Sequence, residues 1–473
     1  MLIHERVWQD PGVREALYRW DFGQLSRRVR KCASLRQEDM AALTGLSQGY
    51  LSMLEAGSRQ LTNIDRALDF LKALGTPEEL IGLPRRARQS PISSVNSPTA
   101  EDTRTLTVHI DPALPWTAGR MVAALNEAVL GEPMDRRRFI TLSGAALTAH
   151  IHHWGMAEAE PLLRAQGGSR VSNEMVGHLQ GTIDHLRHMD ASGGSGSLAD
   201  LAQAHLSFLV STLKHGTYDE PTGRLLAGIA ADTATQLGWF HFDAGRHAEA
   251  QRALVGALRA AHASADPRLG AGALSYIAIQ AYSTGNPRDA VSATRAAREK
   301  NKAVHSPALH AMLLTRQARG YAKLGEREAC LRALGEAADL AAAGHSEEDP
   351  GWLYWINAGE ILGQTASCHL DLDDTQQAAE HFERAHTAMN PQDLRTRALF
   401  ETRAASAHLR SGEREAGYAA AERAMALAEN VRSARLEEHF QQVADELQTL
   451  GTDTRAADLL DRSKLMLAKG THT

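Results

Sequence analysis

Cysteine, lysine and aromatic residues are scarce in this chain of 473 residues, and long apolar runs are missing altogether. Its three cysteines, Cys32, Cys330 and Cys368, are too few and too scattered in sequence for a disulfide framework or a zinc site, which fits a reducing compartment. No stretch of about 18 apolar residues occurs, which argues against a membrane-spanning helix. The opening MLIHERVWQDPGVREALYRWD is charged from its first residues and has no apolar signal core. These absences together predict a cytoplasmic protein with no membrane partner. Only 8 of the 51 basic residues are lysine, a bias of GC-rich bacterial genomes that carries no mechanistic meaning. Also missing are a phosphate loop, a G-x-S-x-G elbow, an H-E-x-x-H pair and a dinucleotide fingerprint. The expectation is therefore a non-enzyme with no catalytic residues, no metal and no cofactor.

What is present is length, helix signals and an uneven charge. The chain is about three times a usual domain, so several domains or one long repeat array are expected. The net charge is -6, yet residues 22 to 88 carry 11 Lys and Arg against 7 Asp and Glu. A basic head on an acidic body suits a nucleic-acid contact confined to one end.

The head, residues 1–83, reads as four or five short helices. Asp10 before Pro11 can cap a helix over Gly12 to Trp20, and Asp21 can cap the next, FGQLSRRVRKCA. RQEDMAALTG then ends at Gly45, and SQGYLSMLEAG opens on the cap residue Ser47 and closes at Gly57. NIDRALDFLKALG supplies a last amphipathic helix. Two short helices joined at a glycine, the second with small polar residues on its first turn, form a helix-turn-helix. Leu46, Leu51 and Leu54 fix the second helix to the core, leaving Ser47, Gln48, Gly49, Tyr50, Ser52 and Met53 outward or partly so. Gln48 is the candidate for a base edge, since a side-chain amide can bond adenine bidentately, and Ser47 can reach phosphate or base. Gly49 would let the backbone approach closely. Gln37, opening the preceding helix, is placed for phosphate, and Arg59 follows the recognition helix as a further candidate.

RQEDMAALTGLSQGYLSMLEAGSRQLTNIDRALDFLKALG resembles the helix-turn-helix of the phage-repressor-like family called XRE, in its Gln at the second helix, its L-E-x-G exit and its closing A-L-G. WQDPGVREALYRWDFG before it and IGLP after it resemble an actinobacterial subfamily. The resemblance covers about 75 residues and implies double-stranded DNA as a partner, read as an inverted-repeat operator by a homodimer.

Residues 84–118 are rich in Pro, Ser and Thr and read as a flexible linker, with LTVHI a short extended piece. Arg85, Arg86 and Arg88 there either add phosphate contacts or are simply solvated. Residues 119–170 form a connecting helical segment. Within it MDRRRFITLSGAALTAH resembles a twin-arginine export signal, but its position behind a folded head argues for a buried helix instead. His150, His152 and His153, and separately His178, His185 and His188, are either ordinary surface and core histidines or a metal site lacking acidic or cysteine partners.

From 171 to 470 the chain repeats. Turn signals centre on Gly245, Gly285, Gly325, Asp373, Gly412 and Gly451, spaced 40, 40, 48, 39 and 39 residues apart. Seven residues before each stand Gly238, Ala278, Ala318, Ala366, Ala405 and Ala444. Five after stand Ala250, Ala290, Cys330, Ala378, Gly417 and Ala456, and twelve after stand Ala257, Ala297, Ala337, Ala385, Ala424 and Ser463. Stacked antiparallel helices need small residues where their axes come closest. The pattern resembles a lengthened tetratricopeptide repeat (TPR), so the fold expected is all-α: a helix-turn-helix head, a linker and a TPR-like α-solenoid. Helices at about 172 to 190 and 198 to 214 start the array, and the longer spacing places a loop at AGHSEEDPGW.

Such an array curls around a groove lined by the first helix of each pair. Positions ten, six and three before the turns are expected there: Thr235, Trp239, Phe242, Ser275, Ile279, Tyr282, Thr315, Arg319, Ser367 and Ser406. Trp239 and Tyr282 beside a cationic Arg319 suit a carboxylate-bearing small molecule or peptide effector. Taken singly, each of these residues is equally well explained by inter-helix packing. The architecture resembles peptide-sensing regulators of Gram-positive bacteria. The rival expectation is a TPR interaction scaffold with a vestigial or protein-docking head.

Overall fold

The computed structural model describes residues 5–10, 12–13, 16, 22–56, 70–71, 73–76, 115–130, 143–159, 162, 170–193, 195, 198–344, 346–429, 431, 433–450 and 453–470. Contacts divide the chain into two units, Met1–Pro98 and Thr99–Thr473. Among the described residues there are helices and no strand. Arg59, the closing helix up to Asp69, Arg85, Arg86, Arg88, LTVHI and the arginines of MDRRRF lie outside those residues.

In the head, the Asp10 carboxylate accepts the backbone N–H groups of Gly12 and Val13 at 2.9 Å each, as its place before Pro11 predicted. Among the described residues follow α1 (Phe22–Cys32), α2 (Gln37–Thr44) and α3 (Gln48–Glu55). Gly45 ends α2 in the left-handed conformation, φ 69°, which glycine adopts without the Cβ penalty. Phe22, Leu25, Val29, Met40, Leu51 and Leu54 are buried in one core, where Phe22 meets Phe70 edge-on at 5.8 Å.

The body begins with α4 (Ala118–Leu130), α5 (Gly144–Met156), α6 (Asn173–Gly193) and α7 (Leu198–His215). Six helix pairs then run in register: α8 (Glu220–Asp243) with α9 (His247–Ser264), α10 (Pro267–Thr284) with α11 (Pro287–Lys300), and α12 (Pro307–Lys323) with α13 (Arg327–Ala342). After a loop containing a single 3-10 turn, Gly351–Leu353, come α14 (Ala358–Asp371) with α15 (Thr375–Ala388), α16 (Leu394–Ser411) with α17 (Arg414–Ala428), and α18 (Ala434–Thr449) with α19 (Thr454–Gly470). Short turns make the two helices of each pair antiparallel.

Four of the turns share one mechanism. Gly245, Gly325 and Gly412 have φ of 75°, 73° and 87°, and Asp373 replaces glycine at φ 62°. The next residue's N–H then closes back onto a carbonyl inside the first helix, as Arg246 does on His241 and Glu413 on His408, at 2.8 and 2.9 Å. Gly285 differs: the Asn286-Pro287 that follows starts α11 with an Asn cap accepting from Arg288 N–H.

All eighteen small positions are buried. The reason is visible at the two glycines: a Cβ on Gly238 would stand 2.7 Å from Leu254 Cγ, and one on Gly417 2.7 Å from Leu409 Cδ2. The helix axes come that close only where side chains are minimal. Connecting helices α4 and α5 belong to the body. Lys300 Nζ donates to the Gly155 carbonyl at 2.7 Å, and the Trp154 ring lies against Gly270. Ala124 of α4 packs on Gly256. Both therefore cover second helices of the pairs, α4 on α9 and α5 on α11.

The array also curls back on itself. Ser433, the cap of α18, donates to Asp243 Oδ1 at 2.8 Å across 190 positions of sequence, and Ala434 packs on Gly245. At the same seam the α6 residue Asp190 faces Arg395 of α16 at 3.4 Å.

Gly363, on α14, touches the ring of Phe400 on the next first helix, where an added Cβ would fall 2.0 Å from Cε2. Gly363→Ala should therefore lower the thermal midpoint of the body, an overpacking cost of about 1–3 kcal/mol. A midpoint equal to that of the parent chain would show that first helices do not pack this tightly.

Candidate functional site

In the head, the three helices meet at one carboxylate. Glu55, last residue of α3 and the Glu of the L-E-x-G exit, accepts hydrogen bonds from Ser26 Oγ at 2.8 Å, Arg30 Nη2 at 2.9 Å and Nε at 3.2 Å, and Gln37 Nε2 at 3.3 Å. Arg27 adds a bond to its carbonyl at 2.5 Å. Burial alone would raise this carboxyl, but Arg30, then Ser26 and Gln37, outweigh it and hold Glu55 below the usual glutamate value. The staple ties α1, α2 and α3 into one rigid unit, and with it the direction in which α3 points.

That direction leaves Ser47, Gln48, Gly49, Ser52 and Met53 exposed, Tyr50 half-buried, and Leu51 and Leu54 in the core. Ser47 caps α3 through its hydroxyl, which accepts from Tyr50 N–H at 3.3 Å. A Cβ on Gly49 would meet nothing within 4 Å, so the head itself does not require glycine there. Gln37 sits at the start of α2 as expected, with its amide turned to Glu55.

The concave side of the body holds two chambers. One, of about 690 Å³, is walled by Trp239, Tyr276, Tyr282, Trp355 and Phe400; the other, of about 1040 Å³, by polar residues including Arg319, Lys323, Asp371 and Arg403. Of the residues expected in the groove, Trp239, Ile279 and Tyr282 line the first chamber and Phe242, Arg319 and Ser406 the second. The position ten before each turn does not face either. Thr235, Ser275 and Thr315 are buried, and their hydroxyls donate to Ala231, Gly272 and Met312 carbonyls of their own helices. Thr235 only edges a small crevice beside Tyr276. The equivalent position on α14, Gly363, lies against Phe400 of the next first helix. One residue later the chain turns inward: Gln236, Tyr276, Arg316, Gln364, Arg403 and Gln442 all line a chamber.

Arg319 differs from its expected role. Its guanidinium lies 5.1 Å from the Tyr282 ring centre but already holds Asp371 at 2.9 Å. Lys323 and Arg403 reach the same carboxylate at 3.1 and 3.2 Å. Burial raises the Asp371 carboxyl, yet Arg319, Arg403 and Lys323 together pull it well below the ordinary range. Arg319 is thus part of a buried ion cluster joining α12, α14 and α16.

Neither histidine group converges. His150 is buried, and burial, with Arg259 and His153, pushes it down to about 3, while His152 and His153 are exposed. His178 and His185 are exposed, and His188 stacks on Tyr354 at 4.5 Å at the mouth of the first chamber. Among the described residues no group of His, Cys, Asp and Glu is arranged to hold a metal. Cys330 and Cys368, scattered in sequence, are free thiols buried side by side in one cluster.

Residues 21–82 match a family described as helix-turn-helix domain. No curated protein matches the chain. Among solved structures, the chain is similar to one described as nearly identical TPR-like repeats of a putative kinesin light chain from Podosopora anserina, with a TM-score of 0.32 and 15% identity over 44% of this chain and 99% of that one. The chain is an all-α protein with an N-terminal helix-turn-helix domain and a TPR-like helical array, the second resting on the paired helices and their shared register. No helix among the described residues is long and apolar enough to cross a membrane.

Glu55→Gln should reduce hydrogen-exchange protection of the α1–α3 amides at neutral pH by the equivalent of about 1–3 kcal/mol. Because the folded carboxyl is lowered, its contribution is complete above the unfolded value and fades as pH falls below it. The two chains should therefore converge on acidification; a deficit independent of pH would mean that the charge of Glu55 is not what holds the helices.

Proposed function

We propose that the chain is a sequence-specific DNA-binding transcriptional regulator of the XRE type and actinobacterial kind, working as a cytoplasmic homodimer whose body senses a small molecule or peptide. The observation that carries the reading is the first turn of α3. Ser47, Gln48, Gly49 and Ser52 stand exposed on a helix whose far side is locked by Leu51, Leu54 and Glu55. A surface turn so rigidly held, with a glycine the head does not itself need, suits insertion into a major groove, where Gln48 bonds a base edge and Ser47 a base or phosphate. Gln37, Tyr50 and Arg59 are assigned to the flanking contacts. The reading assigns no catalytic role to any residue.

One small head has a modest interface, so pairing two on an inverted repeat raises affinity through effective concentration. A surface suited to pairing is the outer face of α7, where Leu201 and Phe208 are 53% and 50% exposed. Chamber residues Trp239 and Tyr282 support ligand sensing, with Arg319 behind them in its ion cluster.

Selection of random DNA on the full chain should enrich an inverted repeat, with binding that falls steeply as salt rises. Gln48→Ala should weaken that site by about 1–3 kcal/mol and spare random DNA, whereas Gln37→Ala should weaken both. No enrichment, or salt-insensitive binding, would favour the rival reading of an interaction scaffold. Phe208→Asp should convert the chain to a monomer in sedimentation and weaken operator binding in step; an unchanged dimer would exclude the α7 face.

A further inference from the structure

The two chambers meet at Arg435, on the first turn of α18, which lines both. Other arginines of the concave side are already matched. Arg187 holds Asp232 at 2.5 Å and Asp184 at 2.8 Å, Arg316 faces Glu360 at 3.4 Å, Arg395 faces Asp190 at 3.4 Å, and Arg319 holds Asp371. Arg435 has no such partner: among the described residues no carboxylate lies within ion-pair distance of it. Its guanidinium instead sits 5.9 Å from the ring centre of Trp239. Burial pushes it down to about 10, opposed by Tyr282 and Asp243 and reinforced by the like charges of Arg319 and Arg395, so it remains cationic at neutral pH. A half-buried, charged guanidinium that lines both chambers beside aromatic walls, with no carboxylate paired to it, is placed to receive an anion.

Resting on the sensing role proposed above, we propose that the effector is an amphipathic carboxylate, its anion held by Arg435 and its aromatic or cyclic apolar body lodged in the first chamber against Trp239 and Tyr282. The first chamber, about 690 Å³, has the size of small-molecule sites. Arginine presents two parallel N–H groups that match a carboxylate, and the aromatic side chains on either side exclude water and strengthen the pair. The same chemistry is offered by a free aromatic acid and by the C-terminal residue of a short peptide ending in an aromatic side chain.

The test is calorimetric titration of the full chain, without DNA, with indole-3-acetate, 2-naphthoate and the tripeptide Ala-Ala-Trp, each against its neutral amide. At least one acid should bind about tenfold or more tightly than its amide, the worth of one charge-assisted pair. The free acids binding alone, or the tripeptide as well, separates the two sources. Arg435→Gln should abolish the preference, Arg435→Lys should restore part of it, and neither should lower the thermal midpoint of the free protein. Acid and amide binding alike, or no acid binding more tightly than about 1 mM, would overturn the proposal. So would a fall in the free protein's midpoint on Arg435→Gln, which would show that the arginine serves the fold. DNA is absent from this measurement, so a failed operator selection and a failed titration are separate results.

Discussion

Helix backbones in the body approach one another as closely as their side chains permit, and the rest of the unit depends on that approach. At Gly238 and Gly417 even a methyl group would collide with leucine. Alanine, one step larger, fills most of the equivalent positions, and each is buried to near completion. Pairs packed this tightly stack with little freedom, so small angles repeated from one pair to the next decide where the array ends. Here they bring the cap of α18 back to the end of α8, where one hydrogen bond between Ser433 and Asp243 and the contact of Ala434 with Gly245 mark the seam. The concave side is then enclosed by residues from α6, the first helices and the loops, and its chambers owe their depth to this closure.

Enclosure changes the electrostatics of everything inside. An arginine on an open solenoid face would be solvated and its partner would matter little. Within the curl, charges lose water and must find one another. Asp371 gathers Arg319, Lys323 and Arg403 from two different helices, and Asp190 gathers Ser195, Trp239 and Arg395 from three different parts of the chain. The head solves the same problem on a smaller scale, with Glu55 in place of Asp371. In both units a single carboxylate fixes the relative placement of several helices. Such networks make poor sources of net stability, yet they tolerate few alternative arrangements, which suits surfaces that must present side chains in one geometry.

How much of this could be read beforehand varied with the range of the interaction. Turn glycines, the Asp10 and Ser47 caps and the small-residue register are local or periodic, and a one-dimensional string displays them directly. Asp373 was legible as a turn centre because its neighbours kept the register, although only the positive φ explains how it replaces glycine. Of the three groove positions read from the spacing, the one ten before each turn lies one residue away from the chamber wall. A helix turns about 100° per residue, so the step from Thr315 to Arg316 separates a buried position from a chamber wall, and spacing alone does not resolve it. Arg319 was placed correctly on the concave side, but Asp371, which neutralises it, lies on another pair. Spacing does not mark Arg395 and Arg435, which stand on the first turns of their helices, far from the glycine turns. They point into the chambers only because the array closes.

That closure gives the seam a particular position in any response of the body. Asp243 uses one carboxylate oxygen for Ser433, and its other is buried without a hydrogen-bond partner; burial raises its carboxyl despite the nearby Arg395. Two residues beyond Ser433 stands Arg435. The seam therefore joins an under-satisfied acid on the first pair to an unmatched cation on the last. A ligand alters a conformational balance only through unequal affinity for the two states. A carboxylate that bonds Arg435 and stacks on Trp239 would contact α18 and α8 at once, so its binding energy depends directly on the distance between them. Groups deeper in the concave side, such as Arg187 and Arg319, are instead held by carboxylates from neighbouring helices.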